Sequence, residues 1–157
     1  MQTRPNHRTS LLTGAALMLL GCSGLVSTFT AAELGRVNFI GPATGATTSA
    51  TVAAGPVALW TDIDLEWEGD LALRYDVRIA QDGAELAVMS CDPLDVNVTM
   101  NSMTTDLGSR HTRRYQGLMH CTATIPTDGP IDVTAALSVT NATSAYSISR
   151  ADLVIKQ

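Results

Sequence analysis

The sequence predicts an all-β protein: an antiparallel β-sandwich of about seven or eight short strands, with a small β-barrel as the alternative. Three observations predict it. From residue 56 onward, apolar and polar side chains alternate with a period of two. Turn-forming clusters recur at intervals of about ten residues. No stretch after the N-terminal leader shows helical periodicity, and Thr, Ser, Ala and Val are plentiful while aromatics make up only 4% of the 157 residues.

The elements follow in order. "GRVNFI", residues 35–40, reads as an edge strand. Around it, residues 22–55 include "GPATGATTSATVAAGP", whose Gly, Ala and Thr content is that of a tether. The folded domain is therefore expected over residues 56–157. In "PVALWTDIDLEWEG", Val57, Leu59, Ile63, Leu65 and Trp67 share one parity, and Trp60, Asp62, Asp64, Glu66 and Glu68 share the other. That is a strand with one buried and one wet face. "LALRYDVRIAQ" repeats the pattern. A tight connection at Glu68-Gly69-Asp70 would pair these two strands, setting Asp64 opposite Arg74 and Trp60 opposite Arg78.

"QDGA", residues 81–84, is a hairpin turn of the Asp-Gly kind, and the strand after it runs to about Cys91. Asp92-Pro93 breaks that strand, and "LDVNVTMN" begins another. Residues 102–111 read as a loop, residues 112–125 as a strand bulged near Gly117, and "IDVTAALSV" as a strand with Ile131, Val133, Ala135, Leu137 and Val139 inward. "AYSISRADLVIKQ" closes the chain with one or two strands. Charged outward positions argue against a membrane barrel.

The N-terminus carries a different signal. Residues 1–10 are polar with Arg4, His7 and Arg8, and residues 11–20, "LLTGAALMLL", have the length of a secretory apolar segment. Leu19-Leu20-Gly21-Cys22 follows at its end. This tetrapeptide resembles the lipobox of bacterial lipoproteins, with Leu20 where that family more often has a small residue. The resemblance covers only these four positions and the signal before them. It implies a signal peptide over residues 1–21, cleavage before Cys22, and acyl chains on Cys22 that hold the protein to a bacterial envelope membrane. Ser23, not being Asp, implies sorting to an outer membrane where the cell has one. The alternative is a signal cut later, after Thr30-Ala31-Ala32, with Cys22 incidental.

Three cysteines are an odd number for an exported chain. With Cys22 acylated, Cys91 and Cys121 remain, and an oxidising compartment favours their disulfide; two buried free thiols are the alternative. Two isolated cysteines without paired histidines do not make a zinc site.

Removing residues 1–21 takes away Arg4 and Arg8 and leaves 8 basic against 15 acidic side chains. That balance excludes nucleic acid as a partner. Asp62, Asp64 and Glu66 are the one candidate metal set. Yet alternate residues on a strand lie about 6.6–6.8 Å apart and do not converge on one ion unaided, so no metal is assigned. Arg110, His111, Arg113 and Arg114 in "RHTRRY" form a candidate anion-binding patch for an acidic glycan, lipid head group or acidic partner.

No catalytic residue is assigned. There is no Gly-x-Ser-x-Gly elbow, the only histidine bases after the leader are His111 and His120, and no carboxylate pair stands out. No cofactor motif is present. The expectation is a non-catalytic envelope lipoprotein with a structural or protein-interaction role. A module for an anionic glycan or lipid is the second reading, and a hydrolase the third.

Overall fold

The period-two alternation resolves into two antiparallel sheets. The computed structural model describes residues 31–142 and 145–157. The leader and Cys22 lie outside the described residues. Nine strands run in chain order: β1 (Glu33–Val37), β2 (Ala43–Val52), β3 (Gly55–Glu68), β4 (Leu73–Gln81), β5 (Ala84–Cys91), β6 (Val96–Leu107), β7 (Arg110–Ile125), β8 (Gly129–Val139) and β9 (Tyr146–Lys156). They form a five-stranded sheet, β1-β9-β3-β7-β6, and a four-stranded sheet, β2-β8-β4-β5. Neither sheet closes on itself, so the fold is a β-sandwich, as expected, and not the barrel.

The buried stripes of the two sheets meet in one core. Leu59, Ile63 and Leu65 of β3 face it from one side, and Tyr75, Val77 and Ile79 of β4 from the other, all between 0 and 1% exposed. The Tyr75 hydroxyl and Thr61 Oγ1 share a buried hydrogen bond of 3.1 Å across the two sheets. Desolvation raises the Tyr75 hydroxyl above its ordinary pKa, so it stays neutral. Cys91 at the end of β5 and Cys121 in β7 form a disulfide with 6.1 Å between Cα atoms, joining one sheet to the other.

Three expectations are corrected. The expected edge strand within residues 35–40 forms as β1, but the tether around it does not extend past residue 32: residues 43–52 are strand β2, and the two strands pair with β9 and β8. Small residues suit this place: along β2 only Ala50 and Val52 are buried, and the partner strand supplies the backbone bonds. Next, β3 does not pair with β4. The chain leaves one sheet at Glu68 and enters the other at Leu73, and β3 lies between β7 and β9. Alternation reports which face is buried, and two such strands satisfy it stacked face to face as well as side by side.

Third, residues 102–111 are not a loop. The β6–β7 hairpin continues in register to Leu107↔Arg110, and Gly108 turns it at φ 62°. The β7 bulge falls at residues 119–121, where three residues stand opposite Leu59. Gly117 is explained by packing, since a Cβ there would lie 2.8 Å from Val96 Cγ1. The Asp-Gly hairpin forms as expected, with Asp82 and Gly83 at φ 52° and 80°, the positive pair a type I′ turn requires.

Candidate functional site

The candidate basic patch begins β7 at one end of the sandwich. Neighbouring residues on a strand point to opposite faces, so the four side chains divide. His111 and Arg113 share a face with their β3 partners Trp67 and Leu65, and Arg110 and Arg114 share the other with Glu68 and Asp64. Carboxylates then engage three of the four. Arg113 grips Asp106 with both terminal nitrogens, at 2.8 and 3.2 Å. His111 Nδ1 lies 2.6 Å from the same carboxylate. Arg114 Nε bonds Asp64 Oδ2 at 2.9 Å. Arg113, and after it His111, hold the Asp106 carboxyl below its ordinary range.

Trp67 completes this end. Its ring stacks on His111 at 5.1 Å between centroids, with the Arg113 guanidinium 5.4 Å from its centroid. Only Arg110 has no carboxylate partner among the described residues. It opens into a cleft of about 270 Å³ lined with Glu66, Glu68, Trp67, Tyr146 and Ser147. Two carboxylates against one guanidinium do not make an anion site. Arg110, His111, Arg113 and Arg114 are therefore not gathered into the expected patch, because the acidic partners of "DIDLEWE" and Asp106 meet them across the sheet.

Two acids of the β3 stripe, Asp62 and Asp64, are engaged in the same way. Asp62, with Asp64 and Glu66 the candidate metal set, is bonded by Arg36 Nη1 at 2.9 Å and Gln116 Nε2 at 3.1 Å, and Arg150 Nε lies 2.9 Å away. Among the described residues no three or more His, Cys, Asp or Glu side chains converge on a cation position.

Sequence reading missed the network that Asp62 belongs to. Arg36 Nη1 also bonds Asp152 Oδ2 at 2.8 Å, its Nε and Nη2 fork onto Glu33 at 2.9 and 2.8 Å, and Asp152 Oδ1 accepts the Phe39 N–H at 3.1 Å. Asp62 and Asp152 are only 6% and 5% exposed, so the face expected to be wet carries a buried ion cluster. Beside it, Lys156 Nζ lies 4.3 Å from the centroid of buried Trp60. The expected partner of Trp60, Arg78, instead pairs with Glu85, and Arg74 with Asp76. Arg36 lies in the expected edge strand and Asp152 inside an apolar run, and nothing in either stretch shows that the two meet, so neither position signalled its role.

No family model matches the chain, and no curated protein matches it.

Proposed function

We propose that this chain is an exported lipoprotein of a bacterial envelope, acylated at Cys22, whose sandwich is a non-catalytic module for contact with another envelope component. The observation that carries this reading is the pairing of cysteines. Cys91 and Cys121 bridge the two sheets, which leaves Cys22 as the one remaining cysteine of the sequence, at the end of an apolar leader.

The placement of the strands supports it further. Strand β1 begins at Glu33, so ten residues, 23–32, separate it from Cys22. Even fully extended, those ten residues reach no more than about 35 Å. Glu33 pairs with Lys156 at one end of β9, while Tyr146, at the other end, pairs with Trp67. The 11 residues of β9 thus separate the entry point from the Arg110 cleft, a span of about 33 Å. A lipid on Cys22 would therefore tether the sandwich through its Glu33 end, the end opposite the β6–β7 turn and the cleft.

Metabolic labelling with palmitate tests the reading. The wild-type chain should carry label and Cys22→Ala should not. Equal labelling of both would defeat the proposal. The intact mass of the purified protein adds a second measure, expected to show loss of residues 1–21, added acyl chains, and the two hydrogens removed by the disulfide.

A further inference from the structure

We propose that strand β6 pairs antiparallel with β6 of a second copy of this chain, about a two-fold axis at Thr105, so that the two five-stranded sheets become continuous. Among the described residues, β6 is the edge of its sheet and bonds only β7. An exposed edge offers a row of unpaired backbone donors and acceptors, and proteins usually blunt such edges with charge, brevity or cover. The other three edges are blunted. β1 has 5 residues and carries Glu33 and Arg36. β2 is bulged between Ala43 and Ala46 and lies against β1. β5 ends in the disulfide and carries the Glu85–Arg78 ion pair.

β6 lacks these defences. It has 12 residues, and none from 96 to 105 is charged. Asp106 is its one charge, and Arg113 of its own chain already pairs with it. Residues 101–107 are all exposed. The bulge at Asn101, φ 52°, ends at Met103, and residues 103–107 then run one-to-one against Arg114 to Arg110 without a break. This is a straight, five-residue pairing segment.

Its side chains fix the occupant and the register. Met103 and Leu107 are 45% and 71% exposed and share one face with Thr105. An antiparallel copy centred on Thr105 sets Met103 against Leu107 of the second copy, and Leu107 against Met103 of the second copy, which covers both apolar side chains. Thr104 then faces Asp106 of the second copy, so a hydroxyl meets each carboxylate. Centring on Asp106 would oppose two carboxylates, and centring on Thr104 would spend Met103 on a threonine. Of the registers centred on Thr104, Thr105 and Asp106, only the Thr105 register sets Met103 and Leu107 against each other and avoids like charge. The axis reverses β6, so the Glu33 ends lie at opposite ends of the pair. Under the lipid-anchored reading, the two linkers to Cys22 therefore leave such a pair from opposite ends.

The test is a cross-link in the full chain, solubilised in detergent so that pairing is read independently of acylation. Directly opposed residues of an antiparallel pair have Cα atoms about 4.5–5.5 Å apart, within disulfide range. Under mild oxidation Thr105→Cys should give a reducible dimer as the main species, and Thr44→Cys, on the β2 edge, should not. Adding Met103→Lys and Leu107→Lys to Thr105→Cys should abolish the dimer while the circular dichroism spectrum stays that of wild type. A Thr105→Cys dimer no stronger than that of Thr44→Cys, or one that survives both lysines, overturns the proposal.

Discussion

Asp152 holds three parts of the molecule with two oxygen atoms. Oδ1 accepts the backbone N–H of Phe39, beyond the end of β1, and Oδ2 takes one bond from Arg36, which also bonds Asp62 of β3. The Arg36 guanidinium is held charged by Glu33 first, and by Asp62 and Asp152 after burial is set against them. In return, Arg36 holds the Glu33 carboxyl below its ordinary value. Removing one member of such a cluster leaves buried groups without partners, which costs more than the intact cluster contributes net. Asp152→Ala should therefore lower the unfolding free energy by about 2–3 kcal/mol. Asp152→Asn keeps an acceptor for Phe39 and should recover about a third to a half of that loss. Urea midpoints of the three proteins decide it; equal midpoints for Ala and wild type would mean that the cluster holds nothing together.

At the scale of the element, β7 shows how packing and pattern divide the information. The inward residues of β4 and β8 were legible by alternation, whereas β7 was legible only as a strand, its buried Tyr115, Met119 and Ala123 emerging with the fold. The reason for Gly117 was not legible, because it depends on Val96, a residue 21 positions earlier that the hairpin brings against it. Gly117→Ala would press a methyl to 2.8 Å from Val96 Cγ1 and 3.0 Å from Tyr115 Cε2. Overpacking of this kind costs about 1–3 kcal/mol, whereas Gly41→Ala, with nothing within 4 Å, should stay within about 0.5 kcal/mol of wild type. A thermal melt of both variants separates crowding from a general cost of replacing glycine. β2 marks the opposite limit. "ATGATTSATV" carries almost no apolar alternation, and it becomes a strand because β8 offers it a paired edge, with Thr47 and Thr134 hydroxyls 2.9 Å apart. The candidate site was legible only as residue types. The basic run was visible, but the acids that neutralise it lie on other strands, and a single sequence does not state which strands are neighbours.

For the whole molecule, the disulfide is the side-chain cross-link between the sheets among the described residues, and its position predicts how the sandwich comes apart. Among the described residues, β5 is an edge strand whose ladder bonds go only to β4. Cys91 at its end is 2% exposed and bridges to Cys121 across 30 residues of chain. In the chain-entropy account, closing a loop of that length stabilises the fold by about 3.5–4 kcal/mol. Replacing both cysteines with alanine should therefore lower the melting temperature by about 10–15 °C for a domain of this size. The two sheets share one core, so the transition should remain a single cooperative one. The local response should not be uniform. β8 is held between β2 and β4, whereas β5 would keep only its bonds to β4. Amide exchange should accordingly rise over Ala84–Cys91 well before it rises over Gly129–Val139. Equal acceleration of both strands would show that the bridge acts only on the unfolded chain and not as a clasp on β5.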